Sequence, residues 1–83
     1  MSLNNPHAIN EIEVHRTLSV LNWIISKGGL YGKCAVLYKN HIEHAEAFII
    51  ECSEQCDTQL AKEYWGNELI NEILIYASRK NTR

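Results

Sequence analysis

Two histidines and two cysteines lie close together in the middle of the sequence and are the first candidates for chemistry. The segment "KNHIEHAEAFIIECSEQC" places His41 and His44 three residues apart, and Cys52 and Cys56 four residues apart. Imidazole and thiolate groups are the usual ligands of structural zinc, so a small metal-stapled domain is one hypothesis. On a continuous helix, a rise of about 1.5 Å per residue separates His41 from Cys56 by about 22 Å, which is too far for one ion. We therefore expect no metal here unless residues 33–52 form a hairpin, which would let the two pairs approach each other.

The same cysteines give little indication of redox or nucleophilic chemistry. Cys52 and Cys56 have the spacing C-x3-C instead of C-x2-C, and no strand-to-helix turn precedes them to lower a thiol pKa. Cys34 and Cys52 have the spacing of inward helix positions, where cysteine acts as a small hydrophobic residue. The sequence also contains no G-x-S-x-G, no H-E-x-x-H and no phosphate-binding glycine loop. We expect neither an enzyme nor a cofactor.

A nucleic-acid partner is an alternative that the charges do not favour. The stretch "TQLAKEYWG" is similar to the start of a helix-turn-helix segment, but Ala61 and Gly66 are five residues apart instead of four. The stretch that would form the recognition helix, "NELINEILIYA", contains two Glu and no Arg to read bases. Eight Lys plus Arg against ten Asp plus Glu give a net charge of −2, which is unfavourable for binding phosphates. A DNA-binding transcriptional regulator stays as the alternative function.

Aromatic side chains are the stronger candidates for a binding surface. Two Trp and four Tyr are many for 83 residues, and such side chains are common anchors of protein interfaces. Tyr64 and Trp65 are neighbours, so both cannot point into the same core. In the alternative interpretation all the aromatic residues belong to the core or its edge. The predicted partner-binding residues are Trp23, Tyr31, Tyr64, Trp65, Tyr76 and Glu68.

The apolar periodicity predicts an all-α fold, a three-helix antiparallel bundle, to position these residues. The first helix is predicted over 6–27, because Asn5 can cap it, Pro6 suits its first turn and "KGG" can end it. Its predicted inward stripe is Val14, Leu18, Leu21 and Ile25, and it is widened by Ile9, Ile12, Val20 and Ile24. The third helix is predicted over 58–79 with Asp57 as its cap. Its predicted inward residues are Leu60, Tyr64, Trp65, Leu69, Ile70, Ile73, Leu74 and Ala77.

The middle of the chain supports two predictions. A helix over 33–55 is favoured, because seven residues keep helical spacing: Cys34, Tyr38, Ile42, Ala45, Ile49, Cys52 and Cys56. The alternative is a hairpin in which "KCAVLYK" and "AEAFIIEC" pair around "NHIE", which would give an α-β-β-α arrangement. No Asn-Gly or Asp-Gly turn supports the hairpin.

The totals predict one small domain over 1–83 with a short basic C-terminal tail formed by Arg79, Lys80 and Arg83. Apolar residues make up 46% of the chain and charged residues 22%, which is typical of a folded globular protein. The start of the chain shows no signal-peptide pattern, and no apolar run approaches the length of about 20 residues that spans a bilayer. Three cysteines fit a reducing compartment, so we expect a cytoplasmic protein.

These patterns together predict a small, non-enzymatic protein-protein interaction module of bacterial or phage type. It would act as an adaptor, inhibitor or regulatory subunit, by occluding or bridging a protein partner through an aromatic and acidic helix face. A homodimer is expected, because small domains leave much of their surface exposed. The identity of the protein partner does not follow from the sequence.

Overall fold

Five helices make up the part of the chain that the structure, a computed structural model, describes: residues 6–81, with side chains from 11 to 80. They are α1 (Pro6–Lys27), α2 (Gly29–Leu37), α3 (Ile42–Gln55), α4 (Gln59–Trp65) and α5 (Asn67–Asn81). The described residues contain no strand. The all-α prediction is therefore confirmed, whereas the prediction of three helices and the hairpin alternative are wrong. The predicted cap Asn5 and the tail residue Arg83 lie outside the described residues.

The first helix has its predicted bounds. It ends where the chain turns through Gly28 and Gly29, whose φ angles of 76° and 69° lie in the left-handed region that glycine adopts most easily. The buried face of α1 consists of Thr17, Val20, Leu21 and Ile24. Three of these, Val20, Leu21 and Ile24, were predicted to face inward, whereas Val14, Leu18 and Ile25 are only partly buried and Ile12 is exposed. The side chain of Ile9 lies outside the described residues.

The second predicted helix is broken between α2 and α3. The backbone N–H of Tyr38 donates to the carbonyl of Ala35 at 3.0 Å, and His41 occupies the N-cap position of α3 without a side-chain capping hydrogen bond. The break lets the chain fold back, so that the ring of Phe48 lies 5.2 Å from Tyr38 and 6.3 Å from Tyr31. A continuous helix would hold Tyr31 and Phe48 about 25 Å apart. Aromatic packing thus outweighs the helical spacing that continues across the turn.

The third predicted helix is broken at Gly66. Its φ of 86° and ψ of 160° place it in a region that is essentially restricted to glycine, so the helix cannot continue through it. The N-cap of α4 is Thr58 instead of the predicted Asp57, because the Thr58 hydroxyl accepts a 3.1 Å hydrogen bond from the N–H of Ala61. Leu60 and Leu74, both predicted to face inward, are exposed.

The core lies where α1, α3 and α5 meet. Its buried apolar residues include Leu21, Ile24, Ile49, Cys52, Trp65, Leu69 and Ile73. Helix α2 packs on α1, and α4 packs on α5. At the edge of the core Lys80 of α5 donates to Glu13 of α1 at 2.6 Å and to Glu46 of α3 at 3.2 Å, which joins the three helices. Helices α2 and α4 also contribute to the core, through Ala35 and through Trp65.

Candidate functional site

An apolar groove lies between α2 and α4. Its volume is about 310 Å³. Its apolar and aromatic lining side chains are those of Leu30, Tyr31, Leu60, Ala61, Tyr64 and Trp65. On α4, Leu60 lies four residues before Tyr64, and Ala61 lies four residues before Trp65, so the two members of each pair lie on the same side of the helix. We refer to this feature as the α2–α4 groove.

Aromatic rings that pack against each other form one wall of the α2–α4 groove. The rings of Tyr31 and Trp65 meet edge to face with centroids 5.2 Å apart, and Tyr31 also contacts Phe48. Trp65 is buried, and its indole N–H has no hydrogen-bond acceptor among the described residues. Tyr31 thus connects α2 to α3 through Phe48 and to α4 through Trp65.

Tyr64 fixes the turn between α1 and α2 against the groove. Its hydroxyl donates to the carbonyl oxygen of Gly28. A Cβ atom at Gly29 would meet the same hydroxyl, so the turn accepts no larger residue there without moving Tyr64. The groove and the α1–α2 turn are therefore parts of one structure.

Exposed leucines border the groove. Leu30 of α2 and Leu60 of α4 are each 77% exposed, and Leu37 of α2 is 69% exposed. Leu30, Lys33 and Leu37 lie three and four residues apart on the outward side of α2, whereas Gly32 and Ala35 are buried on the inward side. Apolar residues on both sides are typical of a helix that is covered on both sides. We call Leu30, Lys33, Val36 and Leu37 the outer face of α2.

Charges are separated along the chain in a way that the net charge conceals. Residues 14–42 contain Arg16, Lys27, Lys33 and Lys39 and no Asp or Glu. Residues 43–57, which include α3, contain five Asp and Glu and no Lys or Arg. The outer face of α2 is thus apolar and basic, while α3 exposes Glu43, Glu51 and Glu54. The sequence predicts an acidic helix face beside the aromatic residues, but the outer face of α2, which lies beside the groove, contains no carboxylate.

The predicted partner-binding residues fall in different places. Tyr31, Tyr64 and Trp65 come together at the α2–α4 groove, although only the first two are partly exposed. Trp23 is half-buried against the core, and Glu68 is exposed on α5.

Tyr76 is buried, and its hydroxyl lies 2.7 Å from that of Thr17. The prediction that Tyr76 lies in an exposed partner-binding patch is therefore wrong. The predicted binding residues do not include Leu30, and Leu60 was predicted to be buried because it fits the inward pattern of α4. No signal in the sequence distinguishes these two leucines from core residues.

The histidines and cysteines of α3 do not form one site. The rings of His41 and His44 lie 5.7 Å apart on the surface, whereas Cys52 and Cys56 are buried. Burial is the main reason that the pKa of Cys52 is raised from 9.0 to about 12, followed by Cys56. A protonated thiol is a poor metal ligand. No group of three or more His, Cys, Asp or Glu within the described part of the chain could hold a metal ion.

The arrangement at the groove is suited to binding apolar side chains. No Asp, Glu, His, Lys, Arg or Cys belongs to its lining, so the described groove offers no acid, base or thiol. On α5, which would be the recognition helix of a DNA-binding protein, Glu68 and Glu72 are exposed and would repel phosphates. In residues 6–81 no helix is both long and apolar enough to cross a membrane. No model of a known family, no curated protein and no solved structure matches the sequence.

Proposed function

We propose that this protein is a non-enzymatic interaction module that holds a protein partner in the α2–α4 groove. The observation that carries the proposal is the pair Leu30 and Leu60, both highly exposed, on either side of a groove with an aromatic wall. Exposed apolar patches of this kind mark interaction sites in soluble domains. Aromatic side chains in a well-packed pocket are typical of the residues that contribute most to binding energy.

The exposed leucines set the scale of the binding energy. Burying a fully exposed leucine contributes about 1.5–3 kcal/mol, so Leu30, Leu37 and Leu60, which are 77%, 69% and 77% exposed, would together contribute roughly 3–7 kcal/mol. Association costs on the order of 4–15 kcal/mol in lost translational and rotational freedom. A stable complex therefore requires a partner that also inserts a side chain into the groove. This requirement favours a shaped protein surface over a nonspecific apolar contact.

The role that follows is that of an adaptor, inhibitor or regulatory subunit, which occludes or bridges its partner. Cys34, Cys52 and Cys56 are free thiols, which supports a reducing compartment such as the cytoplasm. The exposed leucines also support the proposal that the protein forms a homodimer when no other partner is bound.

Site-specific photocrosslinking tests the proposal. Benzoylphenylalanine is placed at Leu30, at Leu60 and, as a control, at Ile75, an exposed apolar residue of α5 that does not line the groove. We expect the same partner to be crosslinked from Leu30 and Leu60 but not from Ile75. Adding Leu37→Asp to the same chains should abolish the crosslinks.

A helical spectrum and an unchanged unfolding midpoint would show that the Leu37→Asp chain still folds, as its exposed position predicts. Crosslinks of equal yield from all three positions, or none from the groove, would contradict the proposal.

A further inference from the structure

We infer that the partner segment is an acidic amphipathic helix that lies along α2 and places a carboxylate on Lys33, an inference that rests on the proposed function. Apolar side chains of this helix would contact Leu30 and Leu37 and enter the α2–α4 groove. The carboxylate would lie between them, because Lys33 lies between the two leucines on the outer face of α2.

The shape of the surface favours a helix. Leu30 and Leu37 are seven residues apart, so two helical turns and about 10.5 Å separate them along α2. A partner helix with apolar residues at positions i, i+4 and i+7 repeats this distance and can fill a groove between two helices. The groove beside Leu30 is concave and large enough, at about 310 Å³, for one or two side chains.

The charges favour an acidic partner. Lys27, Lys33 and Lys39 lie in and beside α2, and no carboxylate occurs from residue 14 to residue 42. No ion pair joins Lys33 to a carboxylate among the described residues, and its side chain is exposed. A lysine inside an apolar face loses hydration when a partner covers it, unless the partner supplies an opposite charge. Carboxylates on the partner helix would supply this charge and would discriminate against basic helices.

A second copy of the chain fits this surface less well. Helix α3 exposes Glu43, Glu51 and Glu54, but Ala47 is its only exposed apolar residue. Helix α5 exposes Glu68 and Glu72, but its exposed apolar residues, Leu74 and Ile75, are sequence neighbours and do not repeat the seven-residue distance of Leu30 and Leu37. Neither helix of a second copy therefore presents apolar residues at the required spacing. A second copy would supply the charge without the anchors that the groove requires.

An anionic membrane also fits less well. Helices that lie on membranes have one polar and one apolar face, whereas the inward side of α2 is already packed on α1. A flat bilayer would also leave the concave groove unfilled.

Two synthetic helical peptides test the inference by fluorescence anisotropy. Both carry Leu at positions i, i+4 and i+7, and they differ only in that flanking Glu residues in one are Lys in the other. We expect the Glu peptide to bind the wild-type protein at least about 10-fold more tightly, as one well-placed charge pair can provide. Lys33→Glu should reverse this preference, and Leu60→Asp should weaken binding of the Glu peptide at least about 10-fold.

Lys62→Glu is the matched control, because Lys62 is exposed on α4 but does not line the groove. This variant should keep the wild-type preference. All four residues that these tests change or compare, Leu30, Lys33, Leu60 and Lys62, are exposed, so the variants should unfold at the wild-type urea midpoint.

Three results would overturn the inference. The first is equal or stronger binding of the Lys peptide. The second is binding to phosphatidylserine-containing vesicles that Leu30→Asp abolishes and the Glu peptide does not compete. The third is a dimer in sedimentation equilibrium that Leu60→Asp dissociates and the Glu peptide leaves intact.

If crosslinks from Leu30 and Leu60 capture a partner but the Glu peptide does not bind, the inference fails and the proposed function stands. If the groove positions capture nothing, the proposed function fails as well.

Discussion

Thr17 and Tyr76 form a buried hydrogen bond between their side chains. Thr17 is fully buried, and Tyr76 is 2% exposed. Their hydroxyl oxygens are 2.7 Å apart and connect α1 to α5 across 59 residues of sequence. Each hydroxyl would lack a partner without the other, and a buried unpaired polar group costs about 1–3 kcal/mol. The aromatic ring that looked like an interface anchor therefore helps to hold the core together.

A double-mutant cycle at this pair is the prediction at the scale of the residue. Thr17→Val and Tyr76→Phe should each lower the free energy of unfolding by about 1–3 kcal/mol, because each leaves one buried hydroxyl unpaired. The double variant should lose less than the sum, because both hydroxyls are then absent. Urea unfolding followed by circular dichroism measures all four proteins. Strictly additive losses would show that the two hydroxyls do not depend on each other.

The contact between α1 and α2 depends on a helical residue without a side chain. Gly32 is buried, and a Cβ atom at this position would lie 3.1 Å from the carbonyl oxygen of Ile25 and 3.3 Å from that of Ile24. Both neighbours are backbone atoms, so they cannot rotate away as a side chain can. Helix α2 carries the outer face of the proposed docking surface, and Gly32 fixes its distance from the core.

Gly32→Val should therefore destabilise the protein. Overpacking of this kind costs about 1–3 kcal/mol, because α2 must move away from α1. The matched control is Lys33→Val, which introduces the same β-branched residue into the same helix at an exposed position. We expect the urea midpoint of Lys33→Val to stay close to wild type while that of Gly32→Val falls. Helix propensity alone favours Val over Gly and disfavours Val relative to Lys, so a midpoint of Gly32→Val at or above that of Lys33→Val would contradict this packing.

The sequence predicts the helical class and α1 well, because Pro6 and the Gly28–Gly29 pair are strong local signals. It fails at the turn between α2 and α3, because apolar residues keep helical spacing from Cys34 to Cys56 although the chain reverses between them. Only the packing of Phe48 against Tyr31 and Tyr38 reveals the turn.

Gly66 lies inside the helix predicted over 58–79, because a single glycine does not by itself predict that a helix ends. Its backbone conformation, with φ of 86°, is what ends α4.

The candidate site was predictable only in part. The neighbours Tyr64 and Trp65 were expected to point in different directions, and in the structure one is partly exposed while the other is buried. Leu60 was assigned to the core, because spacing along one helix cannot show whether a neighbouring helix covers it. The stretch from residue 14 to residue 42 contains four basic residues and no carboxylate, but the net charge of −2 for the whole chain does not indicate this.

For the whole molecule, groups whose pKa is raised by folding make the stability depend on pH. Burial chiefly raises the pKa of Cys52 to about 12 and also raises the pKa of Tyr76. Burial alone would lower the pKa of Lys80, but its hydrogen bonds to Glu13 and Glu46 outweigh this effect and raise it. All three groups keep their protons to higher pH in the folded state than in the unfolded state. The folded protein therefore binds more protons above pH 9, and its stability falls as pH rises.

We expect the free energy of unfolding to decrease from about pH 9 upward, with Cys52 contributing at most about 1.4 kcal/mol per pH unit. Cys52→Ala should flatten this decrease, although it also removes some packing. Val20→Ala, which shortens a buried residue that does not titrate, should lower stability equally at every pH. Urea midpoints measured from about pH 8 to about pH 11 in reducing buffer compare the three proteins. A wild-type slope in Cys52→Ala would contradict the role of this thiol.

The separation of charge along the chain also has a consequence for how quickly the proposed complex would form. Four cations between residues 14 and 42 and five anions between residues 43 and 57 give the surface regions of opposite potential. Such a field orients an approaching charged molecule before contact and accelerates association, and dissolved salt weakens it. In the proposed complex, Leu30, Leu37 and Leu60 would act only at contact and would determine how long the complex lasts. The association rate and the lifetime of the proposed complex would therefore depend on different side chains. The association rate would be sensitive to ionic strength, and the lifetime would be largely independent of it.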